Sequence, residues 1–352
     1  MVRRRSRKLA VALGRICFLI LAMPATHIAN PSLHLSYATG LGHANKDGFA
    51  VDCLASQQEP AQTGQVEESK VLRETATDLL RSGSLAEAEK QARTSLQKDP
   101  DSWQGHFLLG LILFRQGRSK ESLAEYTEGA KKHDPSAEDL KIVALNYVLL
   151  GDFGEADRWL TKSITWNPND AEAWYHLGRT KYNESRFEEA LVAFQRCLQL
   201  EERNVKAKSN LGLALAGLGR AAEAQATYRE AISWQAESAS KVAEPYIDLG
   251  DLLLDQNQTD QAVAFLMQAN AISPEDVRIP EMLGKAYWRQ NKLEDARVQL
   301  EKAVRLAPAS AANHYLLGQV YRKQGMREKA KVEFDRAAEL SASHVFPANV
   351  SQ

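Results

Sequence analysis

Residues 171–204 read AEAWYHLGRTKYNESRFEEALVAFQRCLQLEERN. Trp174, Leu177 and Gly178 fall at helical spacing, and after Ser185 the residues Phe187, Ala190, Phe194 and Leu198 fall at helical spacing again. That is the pattern of two amphipathic helices joined by a tight turn. The same unit recurs along the chain. Gly110, Gly178, Gly212, Gly250, Gly284 and Gly318 lie 68, 34, 38, 34 and 34 residues apart, and the 68 is two periods with Ala144 at the intervening place. A second column, twelve residues on, reads Ala88, Ser122, Ala156, Ala190, Ala224, Ala262, Ala296 and Ala330. Seven further, a third reads Ser95, Gly129, Ser163, Cys197, Ala231, Ala269, Ala303 and Ala337. Every member of both is small.

Small columns imply close helix crossings. Leu or Val precedes each glycine place (Leu109, Val143, Leu177, Leu211, Leu249, Leu283, Leu317), and an aromatic or leucine follows in the second helix (Tyr126, Leu160, Phe194, Tyr228, Leu266, Leu300, Phe334). Each such side chain contributes roughly 1.5–3 kcal/mol when buried. A turn column of Gly83, Gly117, Gly151, Ser185, Gly219, Asn257, Asn291 and Gly325 stops the first helix with residues that tolerate a left-handed backbone. Cys197 belongs to a small column and is expected to be buried rather than nucleophilic.

Taken together, these columns resemble the tetratricopeptide repeat, a helix-turn-helix unit with a 34-residue period. Eight units fit, at 69–102, 103–136, 137–170, 171–204, 205–242, 243–276, 277–310 and 311–344, covering 276 residues. The first is the most divergent, with Thr75 where the others have Leu or Val. The fifth carries four extra residues within 235–242, which predicts a longer loop there. The resemblance implies an all-α, right-handed superhelical solenoid whose first helices line a concave groove for an extended or helical partner segment. It places groove residues second, fifth, ninth, twelfth and thirteenth in each unit. Early units supply the apolar Phe107, Leu111 and Phe114, with Leu145, Val148 and Leu149. Central units supply Tyr175, Arg179, Tyr182 and Asn183. Asp251 and Asp255 form an acidic step, with Asp248 close by, and Lys285, Trp288, Arg289, Arg322 and Lys323 a basic one. The alternative is that the apolar places pack against neighbouring helices and the charges form a solvated face. Lys206 and Asn210 do not reproduce the family's clamp for a partner's terminal carboxylate. A polar capping helix is expected after the last unit, but only Ser341 to Gln352 follow, with Pro347 inside; an uncapped last repeat could self-associate.

Catalytic motifs are absent from the sequence: there is no HExxH, GxSxG or Walker-type loop. Gly217-Leu-Gly219-Arg-Ala-Ala222 matches a dinucleotide fingerprint but lacks the preceding strand that motif needs. His106, His176 and His314 come from separate units without paired spacing for a metal. No cofactor and no enzymatic activity are expected. The residues outside the repeats are too few for an independent catalytic domain.

At the other end, Arg3 to Lys8 form a positive patch, followed by apolar runs Leu9 to Leu13 and Ile16 to Met23. Residues 1–38 therefore read as a signal peptide. Ser36-Tyr37-Ala38 is the best cleavage place, with Ala22, Ala25 and Ala29 weaker. The apolar run is shorter than the roughly twenty residues a bilayer span needs, though an uncleaved anchor remains the alternative reading. Residues 39–68, with scattered glycines and no periodicity, read as a flexible linker, and 345–352 as a tail.

The whole chain of 352 residues holds 44 Lys and Arg against 45 Asp and Glu, a net charge of −1. Six of the basic residues fall in the first fifteen positions, so removal of 1–38 leaves a net charge of −7. An acidic array argues against nucleic acid as partner. Protein or peptide segments are the expected partners, outside the cytoplasm, with membrane contact only if the N-terminal segment stays attached. The expected role is a non-enzymatic scaffold or assembly factor.

Overall fold

The computed structural model describes residues 59–345 apart from 237 and 239. The predicted signal peptide, the linker up to residue 58 and the tail beyond 345 lie outside the described residues. Among those described there are sixteen α-helices and no strand. In chain order they are α1 (Glu59–Arg81), α2 (Leu85–Lys98), α3 (Trp103–Arg115), α4 (Ser119–Ala130), α5 (Ala137–Leu149), α6 (Phe153–Trp166), α7 (Ala171–Asn183), α8 (Phe187–Leu200), α9 (Val205–Gly217), α10 (Ala221–Trp234), α11 (Glu244–Asp255), α12 (Thr259–Ile272), α13 (Arg278–Arg289), α14 (Leu293–Leu306), α15 (Ala311–Lys323) and α16 (Arg327–Val345). Odd-numbered helices are the first of each repeat and even-numbered helices the second, giving the all-α helix-turn-helix array expected of the solenoid class. None of the described helices is long and apolar enough to cross a membrane.

The chain forms two compact units, one ending at Ser163 and the other starting at Ile164, within α6. In the first, Ala76, Ala88, Ala92, Leu109, Ile112 and Leu113 make a core between α1, α2 and α3. In the second, the largest core runs from Ala190 and Phe194 through Leu211, Tyr228, Leu249 and Leu266 to Leu283. Cys197 is fully buried in a smaller core of the same unit, with Ala171 and Ala207, and burial pushes its thiol up to about 11, as a packing residue requires.

The columns have a direct geometric cause. A Cβ added at Gly178 would stand 2.6 Å from the Phe194 ring, one at Gly212 2.5 Å from Tyr228, and one at Gly284 2.6 Å from Leu300. The large residue of each second helix therefore lies directly on the backbone of the first. The turn column adopts positive φ at all eight places, including the non-glycines Ser185 (60°), Asn257 (58°) and Asn291 (56°). First helices are mostly capped by short polar side chains. Asp170 accepts from the Ala173 N–H at 2.9 Å, Asn204 from Ala207 at 2.9 Å, and Ser136 forms a full capping box with Asp139. α11 and α13 lack such a cap and carry Pro245 and Pro280 in the first turn instead, where a missing N–H costs nothing.

Two local features were not legible in the columns, and a third, the loop of the fifth repeat, was. The predicted linker gives way to helix at Glu59, ten residues before the expected start of the first repeat. Pro60 sits where a helix can begin, and the polar run after it extends a helix already nucleated further on. At the other end α16 continues to Val345 with 19 residues, against 14 in α14. The longer loop of the fifth repeat is present and is stapled by the buried Gln235, which donates Nε2 to the Val242 carbonyl (3.0 Å) and accepts the Val242 N–H (2.8 Å).

Ala224 is fully buried at a helix crossing, so Ala224→Leu should overpack it and lower stability by ~1–3 kcal/mol; a thermal melt that does not move would contradict this packing. Conversely, Ser185→Gly removes a side chain from a left-handed position and should stabilise by about 0.5–1 kcal/mol, read as a melting temperature a few degrees higher. A fall would show that Ser185 makes a compensating contact.

Candidate segment-binding groove

In the second unit α7, α9, α11, α13 and α15, which carry the predicted groove places, each pack against the next. Tyr175 on α7 is half-buried, and burial raises its phenol. Arg179 is exposed and leans over the Tyr175 ring at 5.9 Å. Asn210 on α9 reaches the Tyr175 hydroxyl at 3.5 Å while donating to the Lys206 carbonyl at 2.8 Å. Tyr182, two turns along α7 from Tyr175, is half-buried against Phe187 at 5.4 Å. Asn183 is exposed at the helix end.

α11 brings the acidic step. Asp251 and Asp255 are exposed, and Asp251 is raised first by burial of its carboxyl group and then by repulsion from Asp255. Deeper in the same face, Asp248 accepts a hydrogen bond from the Ser209 hydroxyl of α9 at 2.8 Å. Its residue keeps some surface, yet its carboxyl group is packed in, and burial pushes it up to about 7. The groove places alone would have left Asp248 out. Glu244, Asp248, Asp251 and Asp255, spaced 4, 3 and 4 apart, were the sequence signal for it.

The basic step is less open than its sequence suggests. Lys285 is paired with Glu281 at 2.8 Å. Arg289 donates to the Leu254 carbonyl at 2.5 Å, closing the end of α11. Trp288 is half-buried, with the Lys323 ammonium 4.2 Å from its ring centre, a cation–π contact. Arg322 lies over Phe334 at 5.6 Å.

The apolar places of the early repeats belong to the first unit. Leu111 and Phe114 are half-buried there. Phe107 is a correction: it is 6% exposed, part of the core and not of an open groove. Its ring stacks on Tyr126 at 5.6 Å, meets Trp103 edge-on at 5.7 Å, and fills the space over Gly129. Gly129 is the single glycine in a column of Ser, Cys and Ala, and it makes the room.

The histidines serve as struts. His106 bonds Glu125 through Nδ1 (2.7 Å) and the Pro100 carbonyl through Nε2 (3.1 Å); His314 repeats this with Glu333 (2.6 Å) and Pro308 (3.1 Å). Trp174 occupies the same place in its repeat and donates to the Pro168 carbonyl at 2.9 Å. Among the described residues no three His, Cys, Asp or Glu side chains are set to hold a metal ion. The groove offers aromatic faces, amides and charges, which is chemistry for binding a segment of chain.

Known proteins show the same organisation. Family models described as tetratricopeptide repeat match residues 73–138, 143–170, 171–204, 204–275, 253–302 and 311–344, and one described as TPR repeat matches 284–325. The PEX5-related protein of Mus musculus is 32% identical over 205 residues, 54% of this chain and 34% of that protein. A peroxisomal targeting signal receptor of Saccharomyces cerevisiae is 31% identical over 108 residues, 31% of this chain and 17% of the receptor. The chain thus spans about a third or less of the length of these curated relatives. A tetratricopeptide repeat protein from Parabacteroides merdae superposes with a TM-score of 0.60 at 22% identity, covering 72% of this chain and 99% of that one. With helix pairs in register and repeat matches running along them, the chain belongs to the tetratricopeptide repeat family.

Proposed function

We propose that the groove of the second unit captures a segment of a partner protein, making the chain a non-enzymatic scaffold or assembly factor. The observation that carries this is the row of half-buried aromatics, Tyr175, Tyr182 and Trp288, set beside the exposed Arg179, Asn183, Asp251 and Asp255. Half-buried rings keep a rigid apolar face at the surface, and neighbouring polar groups fix the register of whatever lies on them. That one relative is a targeting signal receptor supports segment binding as the mode. A bound segment must offset its own ordering, so the expected affinity is on the order of micromolar, about −8 kcal/mol.

We further propose that this capture takes place outside the cytoplasm. The support is the basic-then-apolar grammar of residues 1–38; retention of that segment as an anchor would make the same array a membrane-tethered factor. Mass spectrometry of the mature N-terminus separates the two. Self-association through the last repeat is not part of the proposal: the outer face of α16 is exposed mainly through charged residues, with Val332 its one large apolar side chain among the exposed described residues.

The double substitution Arg179→Ala and Tyr182→Ala should abolish partner capture while leaving the array folded, with helicity unchanged. Crosslinking pull-down from the native compartment checks this. Recovery of the same partners by the double variant would overturn the assignment of the groove.

A further inference from the structure

The groove face of α11 carries Glu244, Asp248, Asp251 and Asp255 at i, i+4, i+7 and i+11, one unbroken acidic stripe. None of the four forms an ion pair among the described residues. The lack is not for want of cations nearby. On the next first helix Arg278 pairs with Asp276 at 2.6 Å and Lys285 with Glu281 at 2.8 Å. Arg289 is taken by the Leu254 carbonyl at 2.5 Å. Like charges one turn apart repel, and Arg278 and Lys285, each paired elsewhere, offset them only through space.

We propose that this face of the groove takes a lysine or arginine side chain of the docked segment, so that the partner is a segment carrying a basic residue. This rests on the reading of the groove as a segment-binding site. Two observations support it beyond the sign of the charge. The Asp248 carboxyl group is held in place by the Ser209 hydroxyl at 2.8 Å, so an acceptor is already oriented. Tyr182 on α7 is half-buried, its phenol raised first by burial and then by the Asp248 charge, and its open ring face gives the aliphatic stem of a lysine an aromatic surface to lie on.

The groups facing Asp248 are Ser209 from α9, Tyr182 from α7, Tyr228 from α10, Glu244 and Asp251 on α11 itself, and Arg278 at the start of α13. Two of them are acidic and only Arg278 is cationic. Burial has lifted the empty-groove carboxyl to about 7. A cation brought against it favours the ionised form, so binding releases a proton near neutral pH and strengthens as pH rises from 6 to 8.

The test begins with a display library of random twelve-residue peptides panned on the full chain. Selected peptides should share a Lys or Arg at one register. For a synthetic copy of one, replacing that residue by norleucine should weaken binding about tenfold to the wild type and by less than twofold to Asp248→Asn. The Asn variant removes a buried charge and should melt no lower than wild type; if it does melt lower, Asp251→Asn is compared in its place. Calorimetry in buffers of different ionisation enthalpy should show proton release for the wild type that the variant lacks. Peptides selected without a basic residue, or a norleucine copy that binds wild type equally well, overturn the proposal while leaving the groove itself intact. No selected binder at all, with the protein folded, overturns the segment-binding reading and this proposal with it.

Discussion

The contact of a large side chain in each second helix with the bare backbone of the first is the constraint on which every repeat depends. At Gly178, Gly212 and Gly284 there is no room for even a methyl group beneath Phe194, Tyr228 and Leu300. That closeness sets the interhelical distance, and the small Ala, Ser and Cys residues of the other two columns follow from it. The left-handed turn residue then has a fixed task, because two helices this close can be joined only by a chain that reverses within a few residues. Capping side chains such as Asp170 and Asn204 end the preceding connection at a defined place. Each of these requirements acts within one repeat or between nearest neighbours, which is why the period survives a four-residue insertion in the fifth repeat. Gln235, bonded twice to Val242, absorbs that insertion locally.

Packing of this kind uses only part of each first helix. The place before the glycine and the glycine itself face the second helix, while the second, ninth and thirteenth places stay at the surface in most repeats and the fifth is buried in several, as at Phe107, Ser209 and Ile247. Those places vary in character from repeat to repeat: Tyr175, Arg179 and Tyr182 on α7, acids on α11, Lys285 and Trp288 on α13. Variation where packing makes less demand is what a recognition surface needs. The same separation accounts for the structural part that two histidines play. His106 and His314 stand at the fourth place, turned toward the upstream proline carbonyl and a glutamate of the second helix, as Trp174 is turned toward Pro168.

How much of this the chain displays as sequence depends on which force acts at each place. Columns enforced by the backbone were readable throughout: all eight turn residues have positive φ. Helix at 59–68 was not readable, because pattern reading detects buried faces and this stretch has few to show. Phe107 misled for a different reason. Its groove place transfers from the family, but Gly129 opened a space beneath it that no other repeat has, and burial of a large ring outweighs the family's orientation. Asp248 was nearly missed because the depth of a carboxyl group is set by residues of four other helices, α7, α9, α10 and α13, as well as its own.

The acidic stripe of α11 shows how the two parts of the design bear on each other. A like-charged pair one turn apart costs a few tenths of a kcal/mol on a helix surface, and a partly buried carboxyl such as Asp248 costs more until it is protonated or paired. Against this, each large side chain buried on a glycine contributes roughly 1.5–3 kcal/mol. The packing of Leu249 and Leu266, both fully buried, is thus enough to hold α11 in place with its acids unpaired. Stability in the array is supplied by faces that repeat, and this allows the groove face of a single helix to carry charges that are unfavourable in the empty protein. Such a face is unfavourable only while the groove is empty. A basic residue placed there meets carboxylates that form no ion pair among the described residues, so less of the attraction is lost in breaking existing pairs.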